Sequence, residues 1–336
     1  MYRRGPMPYY GGLVSFFRTP EIELEQITEG MAVVAGVPID NAIVAVRQGT
    51  RFGPRAIREW SMMPRHWFEL APDKSAFDVV TEKGLRLKDT PLVADFGDFN
   101  VNPTDLMRTT ESVIAGMAEV VKRGAFAVVL GGDHYVAYPS FEGFAKGIAE
   151  RKDGARLGYI HIDSHSDFYD EYGSGSRYNH GTCARRISEN PMVSYKNMAW
   201  VGLNKWLQSD QVRLRRKHGL KMTTERDIRE HGIEEVMREA MAVAADGTDA
   251  VYVSVDIDVV AGAESPGTGL SEPLGITSRD FLQVMDMLRD YKELGALDLC
   301  EVSPQWDPGM LTVMLSTRGL ISLLSPYLFD PVELVE

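Results

Sequence analysis

Three short stretches of the chain gather side chains able to hold metal ions. The run Gly158-Tyr159-Ile160-His161-Ile162-Asp163-Ser164-His165-Ser166-Asp167 opens as an apolar segment of the kind that forms a buried strand. It closes with Asp163, His165 and Asp167 at alternate positions. In extended chain alternate side chains project to one side, so two carboxylates and an imidazole converge just past the strand end. Unpaired carboxylates cost several kcal/mol each to bury, so a positive partner is required there. Alone, Asp-x-His-x-Asp fits a surface turn with chance acids equally well. Two further stretches repeat the pattern: Gly131-Gly132-Asp133-His134 follows the apolar run 125–130, and Ser254-Val255-Asp256-Ile257-Asp258 closes the run 250–253. In open parallel α/β sheets the site lies beyond the carboxyl ends of the strands, where all three would meet.

The set comprises His134, Asp163, His165, Asp167, Asp256 and Asp258. Six protein ligands exceed what one catalytic ion takes, and shared carboxylates suit two ions, which in two-metal hydrolytic sites lie about 3.5–4 Å apart. Carboxylate and imidazole without thiolate favour Mn²⁺, Fe²⁺, Ni²⁺ or Zn²⁺ over copper(I).

With Pro266-Gly267-Thr268-Gly269 after the third cluster, these motifs resemble the ureohydrolases, the arginase and agmatinase family. The resemblance spans nearly the whole chain and includes Ser15-Phe16-Phe17-Arg18-Thr19-Pro20, Gly36-Val37-Pro38-Ile39-Asp40, Gly53-Pro54-Arg55-Ala56-Ile57-Arg58 and Glu301-Val302-Ser303-Pro304. It implies an arginase-like three-layer α/β/α fold with a mainly parallel central sheet. It also implies a hydrolase that splits a C–N bond of a small guanidino compound, by attack of a metal-bridging hydroxide, into urea and an amine. By family pattern one Mn²⁺ or Ni²⁺ ion takes His134, Asp163, Asp167 and Asp256, and the other Asp163, His165, Asp256 and Asp258. The departing amine needs a proton. His180, in Asn179-His180-Gly181-Thr182, matches the family's proton-shuttle position, and an imidazole titrating near about 6.5 suits the task. Otherwise it is a histidine satisfied in a Gly-rich loop. Glu301 matches the carboxylate that accepts the guanidinium fork, its alternative being an ordinary strand-end salt bridge. The expected catalytic set is thus His180, Asp167 and Glu301. Cys183 beside His180 raises the idea of a thiol nucleophile, which a complete metal set makes unnecessary.

The sequence departs from the family where Asp-Pro usually follows the third cluster. It reads Val259-Val260-Ala261-Gly262 there, and Gly267-Thr268-Gly269-Leu270-Ser271-Glu272-Pro273-Leu274-Gly275 stands in place of the usual proline- and glycine-rich run. No ligand is lost, but a loop beside the pocket changes, so the substrate need not be agmatine. Segments 170–178 and 261–265 follow ligand strands and are expected to form the pocket wall. They carry more acids than bases, with Arg177 and Glu264 as candidate substrate contacts, which favours a neutral or cationic guanidine over a guanidino acid. The rival readings are a non-catalytic subunit supporting a paralogue and a hydrolase of formimino groups.

The elements that must position these residues alternate along the chain: strands near 31–36, 91–96, 125–130, 158–163, 197–203, 250–256 and 295–301, with helices between them. Such alternation gives right-handed crossovers and a mainly parallel sheet. Arginine-rich 47–58 lacks the phosphate-loop pattern and reads as a helix start, with Pro54 in its first turn. Residues 1–30 read as an irregular N-terminal extension making subunit contacts, with Tyr9 and Tyr10 as candidate packing or subunit-contact residues, and 31–336 as one domain. Composition agrees with a globular enzyme: 336 residues, 44% hydrophobic, net charge −12. That charge argues against a nucleic-acid surface. The two cysteines, Cys183 and Cys300, make no disulfide framework. No apolar run is long enough for a signal-peptide core or a membrane span, so a cytoplasmic location is expected. The expected partners are the small guanidino substrate and further copies of the chain, as a homo-oligomeric trimer or hexamer, or a paralogue in a mixed oligomer.

Overall fold

The structure is a computed structural model describing residues 10, 11, 13–42, 47–79, 82–172 and 175–333. Strand β1 (Ala32–Val37) leads to helix α1 (Gly53–Leu70), the hairpin β2 (Ser75–Asp78) and β3 (Lys83–Leu87), and β4 (Val93–Asp98). Next come α2 (Leu106–Lys122), β5 (Phe126–Gly131), α3 (Ala137–Arg151), β6 (Leu157–Ile162), α4 (Cys183–Ile187) and β7 (Val193–Leu203). They are followed by α5 (Ser209–His218), β8 (Lys221–Thr224), α6 (Glu225–His231), α7 (Ile233–Ala245) and β9 (Ala250–Asp256). The chain closes with α8 (Ser278–Arg289), β10 (Leu294–Cys300), α9 (Leu311–Leu323), α10 (Ser325–Leu328) and β11 (Phe329–Val332).

Eight strands form one sheet in the order β4-β1-β5-β10-β9-β6-β7-β8, every described pairing parallel. A parallel sheet is covered on both faces, which is why its central strands are continuously apolar. Along β9, Val251, Val253 and Val255 join one core with α7, α8 and α9, while Tyr252 joins the other with α2 and α3. This is the expected three-layer architecture. The small antiparallel sheet β11-β3-β2 was not foreseen. Its strands are short and half exposed, so they lack the buried apolar run that betrays the central ones. Helix α1 starts where expected, with Pro54 in its first turn, and runs to Leu70 with Pro64 inside. Helix α8 begins at Ser278 and is capped by Thr277, which accepts from the Asp280 amide.

Residues 1–30 are not all extension. Phe16 and Phe17 are fully buried, and the Phe17 ring packs edge-on against Phe329 at 5.7 Å. Their amides donate to Asp95 Oδ2 and Ser61 Oγ, each at 2.6 Å. Domain packing therefore starts near Ser15. Of the two tyrosines expected at subunit contacts, Tyr9 lies outside the described residues and Tyr10 is exposed.

Candidate metal centre

Strands β5, β10, β9 and β6 are consecutive in the sheet, and their carboxyl ends lie level: Leu299 is in register with Leu130, Cys300 with Asp256, and Ile162 with Val255. Asp163, Asp256, Glu301 and the turn bearing His134 consequently emerge side by side. The turn is drawn tight at Gly132, where a Cβ would stand 1.7 Å from the Ile39 carbonyl oxygen, so only glycine fits. Beyond it Asp133 caps a short 3₁₀ turn through the Tyr135 amide and also accepts from the Ala42 amide at 3.0 Å.

His134 Nδ1 faces three carboxylate oxygens: Asp163 Oδ2 at 3.0 Å, Asp167 Oδ2 at 3.2 Å and Asp256 Oδ2 at 3.2 Å. Both His134 Nδ1 and Asp163 Oδ2 are buried and make no hydrogen bond. Such spacings are those of adjacent ligands on one ion with bonds of about 2.0–2.2 Å. A second group lies alongside, with His165 Nδ1 3.0 Å from Asp258 Oδ2 and 3.4 Å from Asp163 Oδ1. Asp163 thus turns one oxygen to each group. Charge makes the same demand. Burial, then repulsion from Asp258 and Asp163, pushes the Asp256 carboxyl well above its ordinary range. Asp258 is pushed up to about 6, by burial and by Asp163 against the pull of His165. Cations would relieve that repulsion, and the donor set suits hard or borderline divalent ions.

The ligand tautomer is set from behind. Ser254 Oγ donates to Asp298 Oδ1 at 2.9 Å and lies 2.8 Å from His134 Nε2. The single hydroxyl proton is thereby used, so Ser254 accepts from Nε2–H and leaves the Nδ1 lone pair facing the carboxylates. Asp298 is fully buried and also accepts from Cys300 Sγ at 2.9 Å. His161, likewise fully buried, stacks parallel on the His134 ring at 4.8 Å. Its Nε2 is 2.9 Å from Asp163 Oδ2, and its Nδ1 is 2.8 Å from Tyr159 Oη. Sequence reasoning passed over His161, Ser254 and Asp298 because they sit inside apolar strands. The available signal was their alternation: His161 is two residues before Asp163, as Ser254 is before Asp256.

Beside them, just past β10, Glu301 Oε1 accepts the His134 amide at 2.8 Å and lies 3.6 Å from His180 Nδ1. Burial pulls the His180 pKa down, but the carboxylates of Glu301, Asp167 and Asp133 outweigh it and raise the value. Asp167 and Glu301 both hold positive φ, 44° and 62°, a strained backbone that places their carboxylates at the pocket. The pocket is lined by His134, His165, Asp167, His180, Asp256, Asp258 and Glu301 within, and by Tyr169, Tyr172, Lys205, Trp206 and Leu270 further out.

Two expected substrate contacts are not in it. Arg177 points to the surface, pairing with Glu189 at 2.8 Å and Asp170 at 3.6 Å, because acids nearby on the exterior take its charge. Glu264 Oε2 accepts the Ser278 amide at 2.8 Å and is thus used at the start of α8. Asp170 is likewise occupied, by Arg186 at 2.7 Å. Cys183 is fully buried beside Asp167 Oδ2 at 3.7 Å, and burial pushes its thiol pKa well up, the reverse of what a thiolate nucleophile needs. The altered loop folds back on itself, the Ala261 amide donating to Ile276 and the Gly262 amide to Glu272, and so brings the Glu272 carboxylate 3.7 Å from His165 Nε2.

Aspartate and histidine side chains gathered at the carboxyl ends of β5, β6 and β9, with Glu301 after β10 and His180 beside them, make a candidate divalent-metal site in a parallel α/β fold. The chain belongs to the arginase family, whose model matches residues 31–325. It is 32% identical to a guanidinopropionase of Pseudomonas aeruginosa over 95% of this chain and 92% of that protein. A guanidinobutyrase from the same organism is 29% identical, over 95% and 93%. The solved proclavaminate amidinohydrolase of Streptomyces clavuligerus superposes with a TM-score of 0.76 at 29% identity, covering 96% of this chain and 99% of that one. Among the described residues no helix is long and apolar enough to cross a membrane.

Proposed function

We propose that the protein is a dinuclear amidinohydrolase, releasing urea and an amine from a small neutral or cationic guanidino compound. The observation that carries this reading is Asp163, whose two oxygens serve two adjoining ligand groups. His134, Asp163, Asp167 and Asp256 would hold one divalent ion, Mn²⁺ or Ni²⁺, and Asp163, His165, Asp256 and Asp258 the other. Bound there, two such ions supply a strong nucleophile at neutral pH by lowering the pKa of water to about 7.

This chain's own residues do the rest. Glu301 accepts N–H bonds from the guanidinium and orients its carbon towards the centre, while the His134 amide holds the carboxylate in place. A guanidinium stays charged at neutral pH and is a poor electrophile, so orientation and charge pairing matter. His180, charged beside Glu301, gives its proton to the departing amine nitrogen, without which the C–N bond cannot break usefully. Glu301 is the lining carboxylate not assigned to an ion, and the one Lys or Arg of the lining, Lys205 in the outer part, is paired with Glu272. That balance favours a cationic head group and offers little to a guanidino acid, even though the named relatives include guanidino-acid hydrolases.

The test is urea release by the purified, metal-loaded chain across guanidine, alkylguanidines, biguanides, agmatine and 4-guanidinobutyrate, with bound metal measured by mass spectrometry. Two metal equivalents and urea from one or more of the neutral or cationic compounds is the expected result. Two bound equivalents with no urea from any compound would point instead to a supporting subunit, and formamide release from formimino compounds alone to the third reading.

A further inference from the structure

The inner pocket accounts for a guanidinium; its outer half has no role in the chemistry above and is built of different material. Tyr169, Tyr172, Trp206 and Leu270 line it, with Lys205 the one charged side chain among them. Trp206 is 90% exposed, although it is the largest apolar side chain lining this pocket. An indole left in water at the rim of a cavity gains by covering something apolar. Tyr172 is also exposed, and its ring meets Tyr169 edge-on at 5.5 Å, so the two form one aromatic wall.

The charges near the mouth are already matched. Lys205 Nζ pairs with Glu272, Asp170 with Arg186 and Arg177, and Arg177 with Glu189. A carboxylate on the substrate tail would have to break the Lys205–Glu272 pair. A tail ammonium would meet Lys205 and no lining carboxylate outside the metal centre except Glu301, which the guanidinium occupies. An uncharged alkyl group displaces water from three aromatic rings and a leucine at no electrostatic cost.

We infer that this aromatic collar is the specificity element, and that the preferred substrate is a guanidine bearing an uncharged, apolar N-substituent. The inference rests on the amidinohydrolase reading and deepens it to a substrate class, with Trp206 as the principal specificity residue.

The experiment compares guanidine, methyl-, ethyl- and n-butylguanidine, agmatine and 4-guanidinobutyrate on the metal-loaded enzyme, the last three having four-carbon tails that differ in charge. Full burial of a methylene is worth about fourfold in kcat/KM, which bounds the rise expected along the alkyl series. Butylguanidine should exceed both charged analogues by about tenfold or more. Trp206→Ala should lower the butylguanidine-to-guanidine ratio of kcat/KM by about tenfold, acting mainly on KM, and Trp206→Tyr should restore most of it. Higher kcat/KM for agmatine or 4-guanidinobutyrate than for butylguanidine would overturn the inference, as would an unchanged ratio in Trp206→Ala. Calorimetric binding of the same compounds to the metal-loaded chain keeps the two readings apart. If no compound yields urea but butylguanidine binds more tightly than its charged analogues and loses that advantage in Trp206→Ala, the collar stands and the hydrolase reading fails.

Discussion

Asp163 joins the two ligand groups, so its replacement should empty both. Asp163→Asn is expected to lose most bound metal and all measurable turnover, and Asp256→Asn to behave alike. Retention of two metal equivalents in either variant would refute the shared-carboxylate assignment. His180 occupies a different role at the same pocket. His180→Ala should keep its metal and lose about 10²–10⁴-fold in kcat, the usual size of general acid–base catalysis; metal loss would place His180 among the ligands. Behind the ligands, Asp298 reaches His134 through Ser254. Groups that orient a metal-binding imidazole typically contribute about 10–100-fold in metal affinity. Asp298→Asn should therefore weaken metal binding by that factor, read by competition with a chelator, while the far-UV spectrum is unchanged.

At the scale of elements, α1 is tied to the sheet edge by a buried ion pair. Arg58 Nε and Nη2 donate to Asp95 at 2.9 and 3.0 Å, Arg58 Nη1 donates to Asp98 at 2.7 Å, and Asp95 also takes the Phe16 amide. Removing one partner strands the other charge in a dry site, so Arg58→Ala should cost about 3–5 kcal/mol in denaturant unfolding. The N-terminal segment is held by the same cluster. Phe17→Ala, deleting a fully buried ring, should cost about 3–5 kcal/mol. A loss under about 1 kcal/mol would mean that residues 15–18 are an appendage after all. Arg177→Ala, by contrast, removes a surface pair and should alter stability by no more than about 0.5 kcal/mol while leaving substrate ranking as it was.

For the whole molecule, the acidic cluster is a store of repulsion that bound cations would relieve. Asp163, Asp167, Asp256 and Asp258 are all buried where β6 and β9 end, between the two hydrophobic cores. Ions bound at 100 times their Kd stabilise the native state by about 2.7 kcal/mol per site. Chelation should thus lower the unfolding midpoint measurably, and re-addition of Mn²⁺ or Ni²⁺ should restore it; an unchanged midpoint would mean that the cluster is not a metal site in solution.

Much of this molecule was legible in the sequence because buried parallel strands must be apolar throughout, and polar residues ending such runs stand out. The runs before His134, Asp163 and Asp256 located the sheet and the side chains that cluster at its carboxyl edge, and the alternation of strand and helix gave its parallel sense. Side chains whose partners come from elsewhere in the chain were not legible. His161 and Asp298 were hidden inside their strands, because a polar residue there declares itself only through the neighbour that satisfies it: Tyr159 for the first, Ser254 and Cys300 for the second. The same holds for charge at the pocket mouth. Arg177 and Glu264 follow two of these strands in sequence, yet the acids around Arg177 and the Ser278 amide at the start of α8 claim them first. Lys205, Trp206 and Leu270 come from connections far apart in the chain and meet only when the strands are laid side by side. Sequence order determined which strands carry the chemistry; three-dimensional pairing of charges decided which loops face the substrate.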